Sequence, residues 1–485
     1  MALPLPVYDR LDALGLADLV ARREVTPAEL LAAARARIDA VNPSLNAVVA
    51  RLDARAERAA DAASDIAAAG GGPFAGVPYL LKDLGTTLAG VPTSNGMAAP
   101  AGQPAPVTST DAERLERAGL VVLGKTNTPE LGLTFTTEPA AFGSARNPWD
   151  PARTPGGSSG GAAAAVASGM VPAAHASDGG GSIRVPAACC GLFGLKPSRG
   201  RVPMGPQIGE AWGSLAATHA LTRSVRDSAA LLDIVSGPAP GDPYAAPAQP
   251  RPYRDEVGAP PGRLRIALQT VPDNGAAVDP ACRAAAEDAA TLCADLGHRV
   301  EEAAPAIDDA AFGDAFLTTV SAHLAADLAA MEQALGAPLD EAAVAPLTAA
   351  LRRQGETLAA RDYARARTDL QIQGRYLGAF LARYDVLLTP ATAKPPVPLG
   401  ELAMADPDVP GLLARIAAFA PFTQLANAAG CPSMSVPLTW SETGLPLGSL
   451  FTAALGREDL LFRLAAQLEA ARPWFHRRPP VHAAG

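Results

Sequence analysis

The sequence predicts an α/β protein that folds as one large domain, with a β-sheet covered by helices on both faces. Short apolar runs of strand length alternate with longer segments whose apolar residues have helical spacing. Strand-like runs begin at residues 76–81 and still occur at residues 433–437. A chain of 485 residues ordinarily suggests about two to four domains, but this continuity favours one.

Composition excludes several classes of protein. Apolar residues make up 48% of the chain and charged residues 18%, which excludes wholesale disorder. The net charge of −9 argues against nucleic acid as a partner, because phosphate binding needs a basic surface. Neither a signal peptide nor a membrane span is indicated, and five scattered cysteines without a C-x-x-C motif suggest no disulfide framework or zinc site. We therefore expect a cytoplasmic protein that has no membrane partner.

The N-terminal part is predicted to be helical. Leucine and valine recur with near-helical spacing over residues 11–20. The Thr-Pro-Ala-Glu sequence at 26–29 is a capping box with proline at the first helical position, so a second helix begins there. An Asn-Pro pair follows Val41 and is expected to end this helix. A third helix is predicted over about 52–69, ended by the Gly-Gly-Gly-Pro run at 70–73.

From residue 76 onward, strands and helices are predicted to alternate. Residues 76–81 form a short apolar run that leads to Lys82, which is typical of a buried strand. A helix is predicted over 111–118 and a strand over 120–123. The same reasoning predicts, further along the chain, a surface connection over 237–262, a strand over 263–268, a helix over 281–296, a helical segment over 310–383, and strands over 385–390 and 433–437.

Lysine is scarce in this chain, which makes each lysine informative. Only Lys82, Lys125, Lys196 and Lys394 occur among 40 basic residues, and the rest are arginine. Coding bias alone explains this scarcity, yet the retained lysines are candidates for positions where arginine cannot serve, because lysine can lose its proton when buried. Lys82 follows a buried strand, and burial lowers the pKa of an amine toward neutrality. Lys82 is thus a candidate base, and pairing with Asp83 is the structural alternative.

Glycine, serine and proline dominate residues 140–210. A flexible linker is excluded by an alanine-rich helix predicted over 162–168 and by apolar strand-like pieces. The Thr-Pro-Gly-Gly-Ser-Ser-Gly-Gly segment at 154–161 precedes that helix, and its glycines let the backbone approach a ligand. It is not a Walker phosphate loop, because Ala162 stands where that motif requires lysine.

A second glycine-rich turn lies at residues 178–186. Three glycines precede Ser182 and supply closely spaced backbone N–H groups without side chains, as an oxyanion hole requires. Asp178 and Arg184 flank this turn with opposite charges and are expected to brace it. A plain glycine-rich turn remains the alternative.

These segments match a known family in residue type and spacing. The matches lie in segments 157–161 and 178–186, with Ser158 and Ser182 separated by 24 residues and Lys82 upstream of Ser158 by 76. Further matches lie at residues 124–127, 194–197 and 430–437. Over nearly its whole length the sequence resembles the amidase signature family of serine amidohydrolases.

The resemblance implies a fold and a set of partners. The fold would be a single domain over residues 1–485 with a mixed central β-sheet covered by helices on both faces. Its signature core would span about 73–235, and a helical region over about 305–420 would cover the substrate. The implied partner is a small-molecule amide or carbamate, with no metal or organic cofactor, no nucleic acid and no membrane. A homodimer is left open.

The resemblance also implies a role for each matched residue. Ser182 resembles the nucleophile, and Ser158 resembles the bridging serine that follows a cis peptide bond from Gly157. Lys82 resembles the base, neutral in the resting enzyme. Amide hydrolysis would then proceed through an acyl-enzyme on Ser182. The implied oxyanion-hole residues are Gly179, Gly180, Gly181 and Ser182.

Within the family, one branch is the most similar. Residues 72–84, 124–130, 136–139 and 457–461 resemble the 6-aminohexanoate cyclic-dimer hydrolase branch, which with its relatives hydrolyses nylon oligomer amides, while some similar proteins cleave carbamates. Gly179 departs from many members, which carry threonine or another side chain there. Five residues flank the signature segments and are candidates for the acyl pocket, although ordinary packing explains each equally well: Leu133, Thr134, Phe135, Ile208 and Trp212.

Other functions stay open at this point. The same chemistry would serve carbamates or esters, because an oxyanion hole binds the carbonyl rather than the leaving group. A subunit of a tRNA-dependent amidotransferase generally carries glutamine where this chain has Val185. Residues 156–160 also fit the G-x-S-x-G motif of a Ser-Asp-His hydrolase, although Arg-Thr-Pro before it is poor strand sequence. A non-catalytic scaffold is the last alternative, and it predicts no reaction with a serine-directed acylating probe.

Overall fold

The computed structural model describes residues 7–68, 71–99 and 102–484, and within this part eleven strands form one sheet. The strands, in chain order, are β1 (Val48–Arg51), β2 (Pro78–Lys82), β3 (Val121–Thr126), β4 (Ala173–Asp178), β5 (Phe193–Lys196), β6 (Ala217–Thr222), β7 (Arg265–Leu268), β8 (Arg299–Glu302), β9 (Val386–Pro390), β10 (Ser433–Trp440) and β11 (Pro446–Ala453). Their order across the sheet is β1-β3-β2-β4-β6-β5-β10-β11-β9-β7-β8. Strands from both ends of the chain share this sheet, so the predicted single α/β domain is confirmed.

Helices flank the sheet. They are α1 (Ala13–Ala21), α2 (Pro27–Leu45), α3 (Asp53–Ala68), α4 (Thr110–Arg117), α5 (Gly160–Ala167), α6 (Arg184–Cys190), α7 (Val225–Val235), α8 (Pro280–Asp295), α9 (Asp309–Leu335), α10 (Pro346–Thr357), α11 (Ala360–Leu381), α12 (Val409–Phe419), α13 (Gln424–Ala428) and α14 (Glu458–Ala471). In the described part of the chain, none of them combines the length and the apolar character that a membrane crossing requires.

The sheet is mixed, and its parallel part positions the candidate site. Strand β2 runs parallel to β3 on one side and to β4 on the other, with Leu80 opposite Ala174. All five residues of β2 are buried, as expected for a strand with neighbours on both sides. Because parallel strands end at the same edge of a sheet, Lys82 at the end of β2 lies beside the last residues of β4.

Most predicted elements are present, but the end of α2 was predicted wrongly. The capping box of Thr26 and Glu29 opens the helix as expected. The helix then continues through Pro43 and ends at Leu45. Just beyond this end, the side chain of Asn42 accepts hydrogen bonds from the backbone N–H groups of Ala47 and Val48. A polar side chain thus stabilises the end that the sequence placed four residues earlier.

Strand β4 was not predicted from the sequence, and its composition explains why. Strand β4 reads Ala-Ala-His-Ala-Ser-Asp and lacks the branched and aromatic residues that favour strands.

The predicted third helix corresponds to α3, and residues 69 and 70 at its expected end lie outside the described part. The predicted surface connection over 237–262 contains one short helical turn, Tyr253–Asp255, whose tyrosine is buried.

The long helices of the second half form a layer over one end of the sheet. Helix α9 packs against both α10 and α11. An apolar cluster in this layer joins Phe312 of α9 and Leu370 of α11 to Leu215 from the loop before β6. The helical region therefore reaches the loop that precedes β6.

We predict that Leu388→Ala destabilises the protein by about 2–5 kcal/mol, because it leaves a cavity in the apolar core that packs on the sheet. Leu388 is completely buried in β9, opposite Phe451 of β11 and Leu268 of β7. The matched control is Leu455→Ala, whose side chain is 48% exposed and whose change should stay within about 0.5 kcal/mol. Urea denaturation measures both, and equal effects would contradict the predicted core.

Candidate active site

Lys82 is completely buried at the end of β2, with its amine directed at serine oxygens. Its Nζ lies 2.6 Å from Ser158 Oγ, 3.0 Å from Ser177 Oγ and 3.4 Å from the Ser177 carbonyl oxygen. Burial lowers the pKa of Lys82 to about 7, although the negative charge of Asp178 opposes this shift. A large fraction of the amine is therefore neutral near neutral pH and able to accept a proton.

The structural alternative for Lys82, an ion pair with Asp83, is not formed. Asp83 instead lies 3.3 Å from the amine of Lys125 and accepts hydrogen bonds from the backbone N–H and the hydroxyl of Ser94. Lys125 is also fully buried. The carboxylate next to Lys82 in the chain is thus neutralised by another lysine.

Burial alone does not distinguish Lys82 from the other lysines. Lys196 is also buried, and burial together with the nearby charge of Arg184 lowers its pKa to about 7. The Lys196 amine, however, donates to the carbonyl of Pro197 at 2.8 Å, and Lys394 pairs with Glu401. Only Lys82 among the described lysines has its amine against serine hydroxyls, so position rather than burial singles it out.

Ser158 lies in the tightly packed loop that precedes α5. The Gly157–Ser158 peptide bond is cis, as the resemblance implies. A Cβ on Gly157 would overlap the backbone of Thr136, so only glycine fits there. Within the described residues no histidine forms a hydrogen bond with Ser158 or Ser182, and a Ser-Asp-His arrangement finds no support.

Asp178 and Arg184 form a buried ion pair that holds the second glycine turn in place. Both side chains are completely buried, with Arg184 Nε and Nη2 at 2.9 and 2.8 Å from the Asp178 carboxylate. The Nδ2 of Asn427 donates to the same carboxylate at 2.9 Å. Burial alone would raise the pKa of Asp178, but Arg184 and Asn427 hold it well below its ordinary value. This carboxylate therefore stays charged and fixed in place.

The hydrogen bonds of this turn correct one predicted oxyanion donor. The N–H of Gly181 donates to Asp178 Oδ1 at 2.7 Å and is therefore already taken. It faces the carboxylate because Asp178 needs donors to compensate for its buried charge. The N–H groups of Gly179, Gly180 and Ser182 have no acceptor within the described residues. Three of the four predicted donors thus remain free.

Ser182 and Ser158 lie on loops that pack around one residue. The position of a Cβ on Gly181 is 3.1 Å from the Phe135 ring, and that of a Cβ on Gly157 is 2.7 Å from the Phe135 carbonyl carbon. The Ser182 side chain is buried, and its hydroxyl has no hydrogen-bond partner in the described part of the chain. The hydroxyl of the nucleophile candidate is therefore not engaged by another described residue, and the observed part of the predicted triad is the hydrogen bond between Lys82 and Ser158.

The candidate pocket residues divide into three groups. Leu133 and Trp212 are half-buried and pack on the apolar cluster of α9 and α11, and Phe135 touches the turn itself. Thr134 is buried and donates to the carbonyl of Leu402 at 3.1 Å, which indicates a packing role. Ile208 is 48% exposed and lies outside that cluster, so nothing in the structure assigns it to the pocket.

Sequence reasoning missed four residues around the site. Ser177 contacts the Lys82 amine, and its place beside Asp178 at the end of β4 was the available signal. Asn427 and Thr423 approach the glycine turn from α13 and its N-terminal boundary, with Thr423 donating to the Gly180 carbonyl at 2.5 Å. Phe316 of α9 lies against Gly180. The last three come from more than 130 residues away, where no local motif marks them.

Comparison with known proteins identifies the family of this chain. The family described as Amidase matches residues 29–462. A 6-aminohexanoate-cyclic-dimer hydrolase of Pseudomonas sp. (strain NK87) is 41% identical, covering 97% of this chain and 96% of its own. A solved 6-aminohexanoate cyclic dimer hydrolase complexed with substrate superposes with a TM-score of 0.91 at 38% identity, covering 98% of this chain and all of that one.

A solved bacterial aryl acylamidase of the amidase signature family is more distant. It is 27% identical, with a TM-score of 0.87, and 96% of each chain is covered. The matches thus extend over the sheet, the helical layer and both serine loops. The chain belongs to the amidase signature family, whose members here are hydrolases that act on amide bonds.

Proposed function

We propose that this protein hydrolyses carboxylic amides that carry no charge next to the scissile carbonyl, through an acyl-enzyme on Ser182 with Ser158 and Lys82 as a proton relay. The observation that carries the proposal is the 2.6 Å distance between the Lys82 amine and the Ser158 hydroxyl in a fully buried site. An amine with a pKa of about 7 is matched to accept and return a proton near neutral pH.

The proposed reaction begins with proton transfer along the relay. Neutral Lys82 accepts the Ser158 proton while Ser158 accepts that of Ser182, whose oxygen forms a bond to the substrate carbonyl carbon. The free N–H groups of Gly179, Gly180 and Ser182 stabilise the oxyanion. When the C–N bond breaks, the proton returns through Ser158 to the leaving amine. Water then hydrolyses the Ser182 ester by the same relay, which restores the starting state.

Nylon-type linear or cyclic oligoamides are the proposed substrates. The relatives named 6-aminohexanoate-cyclic-dimer hydrolase support this choice, as does the ion pair at the glycine turn, whose two charges compensate each other. Buried Asp178 and Arg184 neutralise each other and offer nothing to a charged acyl group.

All five cysteines are buried and free, as in a reducing compartment, and we propose a cytoplasmic location.

A substrate panel tests the proposed function. It contains the linear and cyclic dimers of 6-aminohexanoate, an anilide, an aryl carbamate, an aryl ester and glutamine. We expect hydrolysis of the two 6-aminohexanoate dimers and of the anilide, measured by amine release. Cleavage of the carbamate or ester with none of the amides would favour that second activity, and glutaminase activity alone would favour the amidotransferase alternative.

We predict that Lys82→Ala lowers kcat/KM by a factor on the order of 10³, because the relay loses its base. The matched control is Lys394→Ala, which removes a partly exposed lysine paired with Glu401 and should leave kcat/KM unchanged. Circular dichroism establishes that both variants fold. A folded Lys82→Ala variant with nearly full activity would refute the proposed relay.

We predict that kcat/KM rises with pH through a midpoint near 7 and levels off above it. Burial lowers the pKa of Lys82 to about 7, and only the neutral amine accepts a proton, so activity appears as pH rises through this value. Ser177→Ala removes an acceptor that favours the charged amine, so the midpoint should move to lower pH.

This shift assigns the midpoint to Lys82 rather than to Lys196, whose amine is bonded to Pro197 and has no hydrogen bond to Ser177. The pH dependence of kcat/KM for both proteins, with one uncharged amide, provides the measurement. An unchanged midpoint in a folded Ser177→Ala variant would contradict the assignment.

A further inference from the structure

Two aromatic rings lie directly against the glycine turn. A Cβ on Gly179 would be 2.7 Å from Cε3 and 2.9 Å from Cζ3 of Trp212. The φ angle of Gly179 lies outside the left-handed region, so its backbone accepts alanine and only the indole opposes the methyl group. On the next residue, a Cβ on Gly180 would be 3.2 Å from Cζ of Phe316. With Trp212 in this position, residue 179 has no space for a side chain.

The backbone that presents Trp212 is held in an unusual conformation. Trp212, Gly213 and Ser214 have successive φ angles of 51°, 57° and 65°, all left-handed, which side-chain-bearing residues rarely adopt. Two arginines hold this segment. Arg199 Nε donates to the Ser214 carbonyl at 2.9 Å, and Arg367 Nη2 lies 3.3 Å from Ser214 Oγ. Strain of this kind persists only where surrounding contacts over-determine it, and it clusters at functional sites.

The two rings belong to one apolar surface. Trp212 and Phe316 both pack on the cluster that contains Leu215 and Phe312, and Phe312 and Phe316 have ring centroids 6.0 Å apart. Neither Trp212 nor Phe316 is fully buried. Each therefore keeps apolar surface beside a turn whose N–H groups at Gly179 and Gly180 are free. A group bonded to a carbonyl held by that turn would contact these rings.

We propose that Trp212 and Phe316 form the apolar walls of the site and that Trp212 determines its specificity. The substrates they select have a methylene chain or an aryl group next to the scissile carbonyl and no charge there. A carboxylate in that position would lose water against the rings, and the Asp178–Arg184 pair at the turn, whose charges compensate each other, would not make up for that loss. This inference rests on the proposed amidase function and names the substrate class of the same site.

The first test compares two p-nitroanilides of similar reach, one with a hexanoyl and one with a succinyl group. The native protein should prefer the hexanoyl substrate in kcat/KM, and Trp212→Ala should reduce that preference by roughly tenfold, the scale of a lost apolar contact in a pocket. Trp440→Ala is the matched control, since Trp440 lies on β10 against Trp149 and Arg477. Trp212→Phe, which keeps one ring, serves if the alanine variant does not fold.

The second test is a double-mutant cycle between residues 179 and 212. Gly179→Ala retains the N–H but collides with the indole, so its kcat/KM should fall by roughly tenfold or more. Combining it with Trp212→Ala should restore most of that loss, whereas combining it with Trp440→Ala should not.

Two failures are distinguishable in these tests. A native protein that hydrolyses neither anilide nor any amide of the panel would overturn the proposed function. If the native protein is active, but its preference survives Trp212→Ala and the Gly179→Ala loss is not rescued, the wall assignment is overturned while the amidase function stands.

Discussion

The site depends on a buried amine that, among the described residues, has no carboxylate within hydrogen-bonding distance. Lys82 is completely buried, and its hydrogen bonds in the described part of the chain join it to oxygens of Ser158 and Ser177. A charged ammonium in such surroundings loses its hydration without gaining a counter-ion, which favours the neutral form. Because the neutral amine is a base, the same burial that makes Lys82 costly to charge equips it to accept a proton from Ser158.

This arrangement requires that nearby carboxylates be committed elsewhere. Asp83 adjoins Lys82 in the chain but pairs with Lys125, and Asp178 is enclosed by Arg184 and Asn427. Asp178 still raises the pKa of Lys82 through space, but burial outweighs it. Were either carboxylate to turn toward the amine, an ion pair would stabilise the proton that the relay must release. The buried ion pairs therefore keep both carboxylates away from the Lys82 amine, in addition to stabilising the fold.

Site residues that stand in local sequence motifs could be predicted from the sequence. Contacts that form only when distant strands pair in the sheet could not. Lys82 was identifiable from lysine scarcity and the apolar strand before it, and Asp178 with Arg184 from their places around the glycines. The contact between Lys82 and Ser177 depends on the parallel pairing of β2 with alanine-rich β4, which no strand signal marked. The role of the Gly181 N–H depends on which way the turn faces, and spacing alone cannot reveal that.

In the proposed mechanism, chemistry and specificity come from different parts of this chain. The relay and the glycine turn lie at the ends of β2 and β4 and in the loops beside them, while Trp212 sits on a separate loop and Phe316 on α9. Because one sheet holds strands from both halves of the chain, the α9 layer is fixed relative to the turn without contributing a proton-transfer group. In this proposal the walls select what lies beside the carbonyl, and they can change without altering the relay. Gly179 belongs to both parts, because it carries a free N–H and lies against Trp212.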